Sequence, residues 1–300
     1  MEEHVSDTSE LIISPDGNLW TIPWEMLRKD EKYLIESKAI RYVTSGRELT
    51  RKEQSQDKLA PPAIFAAIDY DAGQGSAANQ VVNQRLTQRT RAGRFVPLAH
   101  SLAEAKSVSP AIERFSKNSP TQYLGANALE STFKSLSRPE VLMISSHGYF
   151  HPGKYVDDAL LRCGLAFAGA NQSRVSASAN REDGVVTGIE IIGTDLRGTK
   201  LVVLSACETG LGEVTSGEGV AGLRQAFQLA GAQSVVSSLW QVEDGETARL
   251  MKLFFQNLAD GKSKSEALRQ AQLSRIKARR ARHGAAHPFF WAAFTLTGQD

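Results

Sequence analysis

Four stretches of the chain carry consecutive apolar residues and not an alternating pattern: AIFAAID at 63–69, VLMISS at 141–146, KLVVLSA at 200–206 and QSVVSSLW at 233–240. A strand with one wet face alternates polar and apolar residues. Unbroken apolar runs therefore predict strands covered on both faces, as in a mostly parallel sheet. Between these runs, apolar residues recur at helical spacing over 101–115, 126–136, 219–230 and 245–258. The first helix opens on Ser101-x-x-Glu104, a capping pattern. Strand alternating with helix predicts an α/β fold, a three-layer α/β/α sandwich with a mostly parallel central sheet.

The flanks differ. ELIISPDGNLWTIPWEML predicts a β-hairpin turning at Pro15-Asp16-Gly17, then a short helix at 23–28 and an extended segment at 39–43. Residues 48–62 are polar and read as a connector. The expected division is an N-terminal hairpin and connector over 1–58, packing on a larger unit over 59–300. Residues 72–93 and 171–184, rich in Gln, Ser, Asn and Gly, read as long surface loops. The chain closes with a helix over 263–282 that turns basic in RIKARRARH, and a last strand within HPFFWAAFTLTG.

Composition narrows the picture. With 41% hydrophobic residues among 300, the chain can bury a real core. Lysine plus arginine number 35 against 33 aspartates and glutamates, so the overall field gives no reason to require nucleic acid or a membrane. The basic run lacks interleaved aromatics and reads as a solvated helix face. Cys163 and Cys207 make no disulfide framework, and the opening MEEHVSDTSE lacks the basic and apolar parts of a secretion signal. The longest apolar runs fall short of the roughly 20 residues a membrane-spanning helix needs. A reducing cytoplasm is the expected setting.

Ligands of an open parallel sheet gather at the carboxyl ends of its strands. VLMISSHGYF ends one buried run with His147 and Gly148, and LVVLSACETG ends another with Cys207 and small residues up to Gly210. Neighbouring strands lie about 4.8 Å apart. If these two are adjacent, a thiol and an imidazole emerge at one edge as nucleophile and base. Gly148 lets a substrate approach the backbone, and amides of Gly148 and Cys207 can face a developing oxyanion, each such donor typically contributing about 3–4 kcal/mol. No third carboxylate suggests itself, so the expectation is a dyad.

Competing readings are weaker. Cysteine is among the most buried residue types, and Cys163 in LLRCGLAF reads as core. His151 follows His147 at a metal-ligand spacing, but Gly148 and Pro152 oppose a helix and no further ligand completes a zinc set. Gly217, Gly219 and Gly222 match a dinucleotide-type glycine pattern, yet they do not follow a strand directly. No metal and no cofactor is expected. Two other functions stay open: a catalytically silent interaction module, and a nucleotide binder using 217–222.

Taken together, His147-Gly148 after an apolar strand, LVVLSACETGLGE, GVAGLRQAFQLAGAQSVVSSLWQVED, the helix at 266–272 and HPFFWAAFTLTG resemble the CHAT domain, a caspase-like and separase-like cysteine peptidase family. SPDGNLWTIPWEML is similar to that family's first hairpin. The resemblance implies peptide hydrolysis with Cys207 as nucleophile, His147 as general acid/base, and the amides of Gly148 and Cys207 as oxyanion hole. It also implies that VSSLWQVED flanks the pocket for the residue before the scissile bond. Ser238, Leu239, Trp240 and an acid, Asp244, then suit a basic P1 residue, since carboxylate and guanidinium pair directionally. Asp157 and Asp158 are the alternative acids, and the competing role for Asp244 is to cap the helix that starts near Gly245.

The expected partner is a protein or peptide substrate. Members of this family commonly follow TPR-type helical repeats, none of which is visible here, so the expected regulator is either a fused sensor region of a longer chain, of which this is a part, or a separate TPR-type sensor or other activating protein. The resemblance also points to a bacterial setting of conflict or cell-death responses. Arg85, Arg89, Arg91 and Arg94 make 72–93 a candidate for self-cleavage.

Overall fold

The computed structural model describes residues 8–50, 58–73, 94–150, 159–172, 182–205, 218–240, 242 and 244–300. Its strands are β1 (Glu10–Ile13), β2 (Arg28–Lys29), β3 (Lys32–Tyr33), β4 (Ala39–Tyr42), β5 (Ala63–Ala66), β6 (Thr121–Leu124), β7 (Val141–Ile144), β8 (Gly148–Phe150), β9 (Cys163–Ala166), β10 (Val185–Thr187), β11 (Leu201–Leu204), β12 (Ser234–Ser238) and β13 (Phe294–Gly298). The helices are α1 (Ser101–Ser116), α2 (Glu130–Lys134), α3 (Ala159–Arg162), α4 (Gly188–Ile192), α5 (Glu218–Leu229), α6 (Asp244–Ala259) and α7 (Lys264–His283). Among the described residues no helix is long and apolar enough to cross a membrane.

The central sheet has eight strands in the order β1-β4-β13-β12-β11-β7-β5-β6. Its neighbouring pairs are parallel except β12 with β13. The four apolar runs form β5, β7, β11 and β12, and side chains alternate between the two faces along each. Phe65, Leu142, Ile144, Val202, Leu204 and Val235 enter one core, with Phe133 of α2 and Leu223, Ala226 and Phe227 of α5. Ile64, Ala66, Met143, Val203 and Val236 enter the other, with Ala105, Val108 and Ile112 of α1, Met251 and Phe254 of α6 and Leu268 of α7. The expected three layers follow from this two-sided burial.

The expected hairpin at Pro15-Asp16-Gly17 does not form. The amide of Leu19 donates to Asp16 O at 3.0 Å, so the turn residues feed the 3₁₀ helix Gly17–Thr21 instead of reversing the chain. β1 pairs in parallel with β4, Leu11 opposite Ile40, and β4 meets β13 at Tyr42 and Thr297. Strands from the first fifty residues thus extend the same sheet as the rest of the chain. Strand β6 gave no apolar run in the sequence because it is the sheet's edge, where Thr121 and Gln122 are exposed. A smaller antiparallel sheet, β10-β9-β8, begins directly after His147.

Candidate active site

Strands β7 and β11 are hydrogen-bonded neighbours, with Leu204 opposite Ile144. The ladder continues one residue further, where the amide of Ser205 donates to Ile144 O at 2.9 Å. His147 lies three residues after Ile144, and Cys207 three residues after Leu204. The two segments that carry the expected dyad therefore leave the sheet side by side and in step. Cys207 itself, with Asp157, Asp158 and His151, lies outside the described residues.

His147 is held on several sides. Its ring packs on Tyr70, with centroids 5.1 Å apart, and on Phe95, at 5.6 Å and 27° between planes. Its amide donates to the Tyr70 hydroxyl at 3.4 Å, and its carbonyl accepts the amide of Ala166 at 2.9 Å. Nε2 lies 2.6 Å from Val96 O. A carbonyl oxygen only accepts, so Nε2 carries a proton, and the lone pair of the neutral form of the ring lies on Nδ1. That tautomer makes Nδ1 the nitrogen able to take a proton from a thiol.

The segment supplying Val96 is itself fastened. Asn171 accepts the amide of Phe95 and donates to its carbonyl, both at 2.9 Å, while also donating to Asp71 Oδ1. Arg94 pairs with Asp71 at 2.7 Å. Tyr70, Phe95, Val96 and Asn171 did not stand out in the sequence, because they belong to no motif and come together only in the fold.

The Ser101-x-x-Glu104 expectation is corrected. Ser101 is the first residue of α1 and His100 its N-cap, without a side-chain cap bond. The Ser101 hydroxyl instead donates to Leu98 O at 2.9 Å and accepts the amide of Ala67 at 3.0 Å, tying the start of α1 to the end of β5. Glu104 turns inward: it accepts from Ser145 Oγ at 2.6 Å and from Ser205 Oγ.

Gly148 begins β8, opposite Leu165. A Cβ there would meet Leu223 Cδ1 at 3.5 Å and Gly164 O at 3.7 Å, ordinary contacts, so packing among the described residues does not demand glycine. Ser238 and Leu239 are buried, and the Leu239 amide donates to Ala293 O at 2.8 Å. Trp240 is half-buried, stacked near Phe289 with its Nε1 donating to Phe289 O at 3.1 Å. Asp244 is the first residue of α6. Cys163 is fully buried in β9, the core position expected of it.

The basic run of α7 is largely committed within the molecule. Arg275 pairs with Glu246, the Arg279 guanidinium lies 3.5 Å from the centroid of the Phe290 ring, and Arg280 pairs with Glu36 at 2.6 Å.

Residues 2–299 match the family model described as the CHAT domain. The chain belongs to the CHAT family. This CHAT chain is 25% identical to human tetratricopeptide repeat protein 28 over 325 residues, a match taking in 97% of the chain and 12% of the human protein. Its identity to the mouse protein of the same name is 37% over 107 residues, 35% of the chain and 4% of the mouse protein. It therefore corresponds to a small part of these relatives' length. Among solved structures, the complex of RgpB pro- and mature domains from Porphyromonas gingivalis has a TM-score of 0.52 at 10% identity, over 99% of this chain and 66% of that one. The Arg-specific cysteine proteinase gingipain R (RgpB) gives 0.50 at 8% identity, over 92% and 57%. At these identities the likeness is one of fold, and the fold is the caspase-like α/β arrangement.

Proposed function

We propose that this CHAT domain is a cysteine endopeptidase cleaving a protein substrate after a basic residue, with Cys207 as nucleophile and His147 as general acid/base. The observation that carries this reading is the His147 imidazole, fixed at the end of β7 with Nε2 on Val96 O, beside the strand that leads in register to Cys207. In the reaction, Nδ1 of His147 takes the thiol proton and the thiolate attacks the scissile carbonyl carbon. The amides of Gly148 and Cys207 receive the oxyanion. Collapse expels the amine, which takes the proton from His147, and leaves a thioester. Water, deprotonated by His147, hydrolyses the thioester and restores the thiol.

Preference for arginine or lysine at P1 is supported by Trp240 and by the acid at the start of α6, Asp244, with Asp157 and Asp158 as alternatives. The name of gingipain R, an Arg-specific proteinase of similar fold, agrees with a basic P1. Glu246 is less suited, being buried and already paired with Arg249 and Arg275. Regulation by a TPR-type sensor or another activating protein is supported by the relatives' name, tetratricopeptide repeat protein 28. A reducing cytoplasm would preserve the thiol.

Intact-mass labelling with matched arginyl and aspartyl peptidyl electrophiles tests this on wild type, Cys207→Ala and His147→Ala. The reading expects stoichiometric labelling by the arginyl probe, abolished by both substitutions. Labelling by neither probe, with or without a candidate activator, favours a silent interaction module on the same fold.

A further inference from the structure

We infer that Glu104 is a positioning residue of the dyad: its buried carboxylate ties together the ends of the two strands that lead to His147 and Cys207. The inference rests on the peptidase reading above. Ser145 and Ser205 are the residues directly after β7 and β11, each two positions before a dyad member. Both are almost fully buried, at 1% and 2% exposure, and Glu104 is 4% exposed. One carboxylate oxygen accepts the Ser145 hydroxyl at 2.6 Å and the other accepts the Ser205 hydroxyl.

A buried carboxylate is costly unless its oxygens are hydrogen-bonded, and an apolar side chain of similar volume often serves stability as well or better. Neighbouring inward positions of α1 are apolar: Ala105, Val108, Ala111 and Ile112. What Glu104 does that leucine cannot is hold two hydroxyls at a fixed separation. The strand ends are already laddered through the backbone, with the Ser145 amide on Phe65 O at 2.8 Å and the Ser205 amide on Ile144 O at 2.9 Å. The carboxylate extends that order to the side chains, at the last described residue before Cys207.

The same end of the helix is coupled to the imidazole. The chain entering α1 carries Phe95, stacked on His147, and Val96, whose carbonyl receives Nε2. Ser101 fixes this entry to Ala67 and Leu98. Residues 95–104 thus set the ring through Val96 and the strand ends through Glu104. Small misplacements of reacting groups can cost on the order of 100-fold in rate.

The test uses the full chain as wild type, Glu104→Ala, Glu104→Gln and Ser205→Ala, with three readouts. These are hydrogen exchange around Ser145 and Ser205, the pH profile of Cys207 alkylation by iodoacetamide resolved by peptide mass, and the denaturation midpoint. Glu104→Ala is expected to speed exchange at both strand ends and to move the alkylation profile up towards the ordinary thiol value of about 8.5, slowing alkylation at pH 6 on the order of tenfold. Glu104→Gln, able to accept one hydroxyl and donate to the other, should restore most of the wild-type profile. Ser205→Ala, which keeps the Ser145 bond, should fall between, and carries the test if Glu104→Ala does not fold.

A folded Glu104→Ala or Ser205→Ala with wild-type exchange and a wild-type profile overturns the inference. If wild-type Cys207 itself alkylates as an ordinary thiol, the peptidase reading fails instead. The exchange data then decide the tie alone: faster exchange at both strand ends upholds it, and unchanged exchange overturns it.

Discussion

Nε2 of His147 lies 2.6 Å from the carbonyl oxygen of Val96, a residue fifty-one positions earlier in the chain. That one contact fixes which imidazole nitrogen bears the proton. Because the acceptor is a backbone carbonyl, its position depends on the packing of the neighbouring side chain, Phe95, which is 5% exposed and stacked on the same ring. Phe95→Ala should cost about 3 kcal/mol or more in denaturant unfolding, as expected for emptying a buried aromatic site. It should also slow Cys207 labelling well beyond Phe95→Leu. Equal labelling rates in the two variants would show that the ring does not hold the base.

Gly148 separates a structural from a functional glycine. Since an added Cβ meets contacts no closer than 3.5 Å among the described residues, Gly148→Ala should change stability by less than about 1 kcal/mol. If its amide faces the oxyanion and its bare Cα admits the substrate, turnover should nonetheless fall on the order of 100-fold. Loss of stability in parallel with activity would return Gly148 to a packing role.

Asp244→Ala tests the specificity pocket. Cleavage after arginine should drop tenfold to about a hundredfold, the range of a hydrogen bond to a charged group, while cleavage after a neutral residue changes little. An equal decline for both substrates would mark Asp244 as a helix-start residue acting on the fold.

Glu25 predicts a pH signature unrelated to the dyad. It is 3% exposed, and burial pushes its carboxyl from 4.5 up to about 7, against the hydrogen bond from the Tyr42 hydroxyl at 2.6 Å that favours the charged form. Between pH 4.5 and about 7 the folded state holds a proton that the unfolded state has lost, so this contribution falls as pH rises through that window and is gone above it. Glu25→Gln cannot ionise, and should gain on the order of 3 kcal/mol over wild type at pH 8 while differing little at pH 4. Urea titrations at both pH values check this, and a pH-independent difference would contradict it.

The sequence by itself determined the layered core. AIFA, VLMI and LVVL are apolar on both parities, as is the Val235-Val236 pair, and only a strand covered on each side can bury both. It also singled out His147 and Cys207 as candidates, because two reactive side chains follow the ends of two such strands at the same spacing. The N-terminal turn misled, since Asp16 and Gly17 suit a 3₁₀ start as well as a reversal, and the choice lay with β4, which pairs with β1 in parallel. Glu104 misled for a related reason: a serine followed by glutamate at the start of a helix has one local use, and here tertiary partners outcompeted it. Only the tertiary structure could bring Val96, Phe95, Tyr70 and Glu104 to the ends of β7 and β11. Their roles depend on a carbonyl, two ring faces and a carboxylate meeting across dozens of residues, and periodicity carries no record of such distances.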